Sequence, residues 1–127
     1  MFDKLDYAMV NVSDMGRSVA FYRDTLGIAL KFEWPGRSEF RTGTTTLALH
    51  RAPAADHQHA HTGPSAGSCS LGFSVTDLDQ TYAELQARGA RFVMPPMDQP
   101  EEGIRLAVCM DPDGLGISFA QSIPRNS

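Results

Sequence analysis

The sequence predicts an α+β fold of two tandem βαβββ modules, and three observations predict it. The stretch Tyr7-Ala8-Met9-Val10-Asn11-Val12-Ser13-Asp14-Met15, a short alternating strand running into a helix, is written again as Ser70-Leu71-Gly72-Phe73-Ser74-Val75-Thr76-Asp77-Leu78. The two copies hold one offset, because 70−7, 75−12 and 77−14 all give 63 residues. Each copy is followed by three further strand-like runs. A chain of 127 residues, 42% hydrophobic and 20% charged, then makes one globular domain in which two half-size modules must share a core.

In the first strand Ala8, Val10 and Val12 point one way and Tyr7, Met9 and Asn11 the other, the two-residue period of a sheet with unlike faces. Ser13 or Asp14 caps a helix expected over 15–26, with Met15, Val19, Phe21, Tyr22 and Leu26 on its apolar side and Gly27 as its stop. Runs at 30–34 and 39–42 form a hairpin turned at Pro35-Gly36, and 45–50 is the next strand. The first module therefore spans 1–51. Residues 52–67, rich in Ala, Pro, Gly and His and without apolar periodicity, are a linker. The second module, 68–120, repeats the order: strand 68–75, helix 78–88 closed by Gly89, strand 91–94, a Pro95-Pro96 loop, strand 104–110, a turn at Asp111-Pro112-Asp113-Gly114, and strand 115–120. A polar tail covers 121–127.

Net charge −4 and pI near 5.4 give no basic field for a phosphate backbone, so no nucleic-acid partner is expected. No apolar run approaches the ~20 residues of a membrane span, and the start lacks the features of a signal peptide. The expectation is a cytoplasmic protein without a membrane partner. Cys69 and Cys109, both in predicted strands, read as reduced packing residues.

Alternation sorts the strand residues by face. Leu47, Leu49, Leu71, Phe73, Val75, Ile117 and Phe119 share the parity that packs under helices. The opposite parity holds Thr46, Ala48, His50, Ser70, Gly72, Ser74, Gly116, Ser118 and Ala120, joined by Tyr7, Met9 and Asn11. Strands disfavour Gly, and solubility alone is better served by Lys, Glu or Thr, so a face of small residues leaves room for a ligand.

Val12-Ser13-Asp14-Met15 with Phe21-Tyr22-Arg23-Asp24-Thr25-Leu26-Gly27, the second βα unit, and Asp111-Pro112-Asp113-Gly114 before the last strand together resemble the vicinal oxygen chelate superfamily. That group includes glyoxalase I, bleomycin resistance proteins and extradiol dioxygenases. The resemblance implies that the modules form a curved half-barrel sheet with helices on the convex face, commonly in a homodimer. It implies no single activity, because function belongs to the site. Its metal enzymes place His, Gln or Glu at positions that match Tyr7, Ser70, Ser118 and, within a register of two that reaches His50, Ala48. Tyr, Ala and Ser are not ordinary ligands of a divalent ion, so the standard metal site is expected to be missing.

The expectation is therefore a small-molecule-binding protein taking a partly apolar organic ligand, with no cofactor. Its ligand-binding residues are Tyr7, Met9, Asn11, Trp34, Ala48, His50, Ser70 and Ser118. The hydroxyl and amide groups of Tyr7, Asn11, Ser70 and Ser118 suit a carbonyl-bearing ligand. The alternative is a lyase or isomerase of the glyoxalase kind, or a dioxygenase relative, using a divalent metal (Zn, Ni, Fe or Mn). There His50 would be the catalytic base, or His57, His59 and His61, at alternate positions in the linker, the metal ligands. A third possibility is a structural or protein-interaction module. Arg41 and Arg105 are candidate carboxylate clamps with salt bridging as the competing role, and Met94, Met97, Met110, Phe32, Phe40 and Trp34 are candidate apolar lining.

Overall fold

The structure is a computed structural model, and it describes residues 1–52 and 66–124. It divides into two compact units, Met1–Gly63 and Pro64–Ser127. Each is a βαβββ module with a four-stranded mixed sheet. No helix among the described residues is long and apolar enough to cross a membrane.

The first module runs β1 (Tyr7–Val12), α1 (Met15–Ala20), a π-helical turn (Phe21–Thr25), β2 (Ala29–Glu33), β3 (Arg37–Thr42) and β4 (Thr45–Arg51). The second runs β5 (Leu71–Ser74), α2 (Leu78–Ala87), β6 (Arg91–Gln99), β7 (Ile104–Met110) and β8 (Gly116–Ser122). Strand order is β1-β4-β3-β2 in one sheet and β5-β8-β7-β6 in the other, with the first and last strands of each module parallel neighbours.

The repeat reaches down to single hydrogen bonds. Asp14 Oδ1 accepts from the Arg17 N–H at 3.0 Å, and Asp77 Oδ1 accepts from the Gln80 N–H at 3.1 Å. The two caps share a φ of −139°. An aspartate there satisfies a donor that the helix start leaves without an intrahelical partner. The helices end at Gly27 (φ 79°) and Gly89 (φ 96°), 62 residues apart rather than 63. The first helix thus carries one residue more, and its π turn, closed by Leu26 N–H donating to the Phe21 carbonyl at 3.0 Å, takes it up.

Each core lies between helix and sheet. Val12, Val19, Tyr22, Phe40 and Leu49 are fully enclosed in the first module, and Leu78, Cys109 and Ile117 in the second. Tyr22 packs against Phe40 at 5.9 Å between ring centroids, and Tyr82, Phe92, Phe119 and Phe73 form a chain of rings 4.7 to 6.2 Å apart.

Several boundaries differ from the sequence reading. β6 continues through Pro95 and Pro96 instead of breaking there. It is an edge strand, where a missing N–H costs no ladder bond, and its register shifts absorb both prolines. β5 begins at Leu71 and not at 68: its ladder with β8 opens at the pair Leu71 and Ile117, and by that register 68 and 69 fall opposite 114 and 115, ahead of β8. Ser70 and Cys69 therefore precede the strand and are exposed. β8 runs to Ser122, so Gln121 is not tail: its side-chain oxygen accepts the Leu78 N–H at 2.8 Å and ties the sheet to the start of α2. Phe40 is not pocket lining, since it is fully buried on the helix side.

Candidate functional site

In the first module the register assembles three rows on the sheet face away from α1. They read Tyr7–Thr46–Arg41–Ala29, Met9–Ala48–Glu39–Phe32, and Asn11–His50–Arg37. Five of the expected ligand-binding residues, Tyr7, Met9, Asn11, Ala48 and His50, share this face, and Trp34 adjoins it through its ring contact with Phe32 at 4.3 Å. Tyr7 (52% exposed), Met9 (41%) and Trp34 (58%) are open, and Ala48 at the centre is enclosed.

Glu39, Arg37 and Lys31 form a charged centre that the sequence reading did not assemble. Arg37 donates twice to Glu39 Oε2, from Nε at 2.9 Å and Nη2 at 2.8 Å, and its guanidinium carbon lies 5.9 Å from the centre of the Tyr7 ring. Lys31 Nζ lies 3.9 Å from Glu39 Oε1 and donates to Thr46 Oγ1 at 2.6 Å. Strict alternation along β2 puts Lys31 on the face of Ala29 but gives no reason to bring Phe32 to the Glu39 face as well. The register shift between Leu30 and Phe32 does so, since a one-residue slip exchanges the faces of a strand. The available signal was Arg37-x-Glu39-x-Arg41, three charges alternating with buried Ser38 and Phe40.

In the second module the equivalent face pairs Gly72 with Ser118 and Ser118 with Val108, with Met94 beyond. Leu106 and Met97 form a second row behind Ala120. Ser118 Oγ donates to the Leu71 carbonyl at 3.4 Å, and a Cβ on Gly72 would lie 3.1 Å from that hydroxyl. Val108, Met94, Leu106 and Met97 make the middle of this floor apolar, with Ser74 and Ser122 toward its margin. Arg105 is no ligand clamp: Nη1 holds Asp98 at 2.8 Å and Nη2 holds Asp79 at 2.9 Å, joining β7 to β6 and α2. These two hydrogen bonds, that to Asp79 first, raise its pKa above the ordinary guanidinium value.

The positions associated with metal ligands do not suit a divalent ion. Tyr7, Ala48, Ser70 and Ser118 supply no imidazole and no carboxylate. Glu39, the nearest carboxylate by register, is held by Arg37. His50 pairs with Asn11, four residues and about 13 Å along β4 from the partner of Tyr7, too far for ligand bonds of about 2 Å to a shared ion. Among the described residues no three His, Cys, Asp or Glu side chains gather as a metal site. His57, His59 and His61 lie outside the described residues.

Comparison with known proteins places these observations. Residues 4–119 match the model of the Glyoxalase/Bleomycin resistance protein/Dioxygenase superfamily. An uncharacterized protein of Mycolicibacterium smegmatis is 30% identical over 118 residues, covering 92% of both chains. The protein YraH of Bacillus subtilis is 30% identical over 109 residues, 80% of this chain and 85% of its own. A glyoxalase/bleomycin resistance protein/dioxygenase from Nocardioides superposes with a TM-score of 0.75 at 24% identity, covering 97% of this chain and 85% of its own.

Proposed function

Because the chain belongs to the Glyoxalase/Bleomycin resistance protein/Dioxygenase superfamily, we propose that it binds and sequesters a small, partly apolar organic molecule on an open sheet face and leaves it chemically unchanged. The observation that carries this reading is the composition of the first module's open face. Exposed Tyr7, Met9 and Trp34 surround polar anchors at Asn11, Thr46 and His50, while the metal-ligand positions carry Tyr, Ala and Ser. Exposed aromatic and thioether groups beside a few fixed polar atoms are the usual make-up of a small-molecule site. The face of the second module, with Met94, Leu106, Val108 and Met110 beside Gly72 and Ser118, supports the same reading.

A metal-dependent lyase or isomerase of the same superfamily is the competing reading, and it must draw its donors from His50 or from His57, His59 and His61. Native mass spectrometry of untagged protein with a library of aryl acids, amides and amines decides between them. One-to-one adducts from which the ligand returns intact, with less than about a tenth of an equivalent of transition metal by plasma mass spectrometry, are expected. A stoichiometric metal, or conversion of a bound fragment, overturns sequestration. The proposal includes a homodimer, supported by the exposed apolar side chains of Phe2 (94%) and Leu5 (67%), and sedimentation velocity tests it.

A further inference from the structure

The open face of the first module differs in charge from the chain that carries it. The whole protein is −4, yet this face sets three cations, Lys31, Arg37 and Arg41, against one carboxylate, Glu39. Glu39 takes both of its short contacts from Arg37, leaving Lys31 at 3.9 Å. The Arg41 side chain makes no hydrogen bond or ion pair with any described residue. The surplus positive charge has a definite place. Arg41 pairs with Thr46 across β3 and β4, Lys31 donates to the Thr46 hydroxyl at 2.6 Å, and Tyr7 pairs with Thr46 from the other side. Two cations and the Thr46 hydroxyl thus flank one point of the sheet. Phe32, next to Lys31 in sequence, stacks with Trp34 at 4.3 Å, and Trp34 is 58% exposed.

We infer that this face takes an organic anion, an aromatic carboxylate whose acid group lies between Lys31 and Arg41 beside Thr46 and whose ring lies against Phe32 and Trp34. The inference rests on the reading that the open face is the ligand surface. A guanidinium offers a carboxylate two parallel N–H donors and an ammonium adds a point charge, so the pair discriminates by charge and by shape. The row that begins at Tyr7 thus carries Arg41 two strands on, with Lys31 beside it on Thr46. These offer a ligand's oxyanion positive charge directly. A cationic drug meets repulsion at the same place.

The test is a titration of Trp34 fluorescence, the single tryptophan, with 2-naphthoate, 2-naphthamide and 2-naphthylmethylammonium. The carboxylate is expected to quench saturably and at least 10-fold more tightly than the amide, with the ammonium weakest and the preference shrinking as salt rises. Arg41→Gln and Lys31→Met should each cut the preference about 5- to 10-fold. Arg23→Gln, which removes an equal charge from the exposed pair with Asp24, should leave it intact. Equal affinities for carboxylate and amide overturn the anion inference and leave the ligand surface standing. No quenching by any probe up to millimolar concentration overturns both. Arg41→Gln and Lys31→Met both behaving like Arg23→Gln refute the placement. A change of sedimentation in those variants without a change in naphthoate affinity assigns the face to a second copy and refutes it equally.

Discussion

Replacing Asp111 with alanine removes the carboxylate that shapes the turn between β7 and β8. Asp111 is 1% exposed, and its Oδ1 accepts from the N–H of Asp113 at 2.9 Å and of Leu115 at 2.8 Å. Its backbone closes the same turn, its N–H donating to the Leu115 carbonyl at 2.9 Å and its carbonyl accepting from Gly114, which sits at φ 89°. A hydrogen bond to a charged group contributes roughly 1.5–3 kcal/mol, and water reaches part of this turn after truncation, so Asp111→Ala should cost about 2–4 kcal/mol. For 127 residues at about 2.1 cal/mol/K each, that lowers Tm by roughly 7–15 °C. Asp111→Asn keeps an oxygen able to accept both N–H groups and loses only the charge, so its Tm should fall by about 4 °C. Calorimetry of the three proteins is the assay. An Asp111→Ala Tm within 3 °C of wild type, or an Asn variant as unstable as the Ala variant, refutes the assignment of the turn to this carboxylate.

Three other substitutions probe the core and the site. Phe40→Ala empties a fully enclosed aromatic site against Tyr22 and should cost about 3–5 kcal/mol in denaturant unfolding, whereas a cost under about 1 kcal/mol would place the core elsewhere. Burial pushes the Cys109 thiol up from 9.0 to about 11, with the Asp111 charge adding to it, so folding holds a proton that the unfolded chain releases. Stability should be intact below pH 9 and fall by roughly 2–3 kcal/mol as pH rises from 9 to 11. Cys109→Ala should remove that slope, and maleimide at pH 8 should label only exposed Cys69 in the folded chain. Glu39→Gln removes the one carboxylate among three cations, and naphthoate should bind between about 2-fold and about 30-fold more tightly, as a charge at roughly 8 Å does when the effective dielectric falls from 80 to 20. Weaker naphthoate binding in that variant would make Glu39 part of the anion's own contact set.

The sequence discloses the fold because the two modules state it twice. Asp14 and Asp77 recur at the same distance before helices that close on Gly27 and Gly89, and chance does not repeat a cap, a period and a stop together. It discloses less of the site, because the site depends on register. The shift between Leu30 and Phe32 moves Phe32 onto the ligand face beside Lys31, and the shifts around Val93 and at Pro95-Pro96 put Met94 and Met97 opposite the face of Phe92. Residue alternation cannot signal a bulge, because the extra residue is absorbed by strand pairing with a partner distant in sequence. Length is hidden for the same reason: β5 extends only as far as its ladder with β8, which opens between Leu71 and Ile117, 46 residues later.

The duplication also separates what folding requires from what it does not. Strand pairing makes Glu39 equivalent to Val108, since each lies opposite a small residue, Ala48 or Ser118, of its module's last strand. By the same register Arg37 corresponds to Leu106 and Arg41 to Met110. Between them lie Ser38 with Ala107 and Phe40 with Cys109, which in both modules face the helix and are fully enclosed. One scaffold therefore keeps its helix-side positions buried while its open side is charged in one copy and apolar in the other. A sheet that folds with either set does not need charge there, so the arginines and Glu39 reflect a demand other than stability. On the first module's face that demand is met by cations beside the Thr46 hydroxyl and the Phe32–Trp34 ring pair, the chemistry that the inferred organic anion requires.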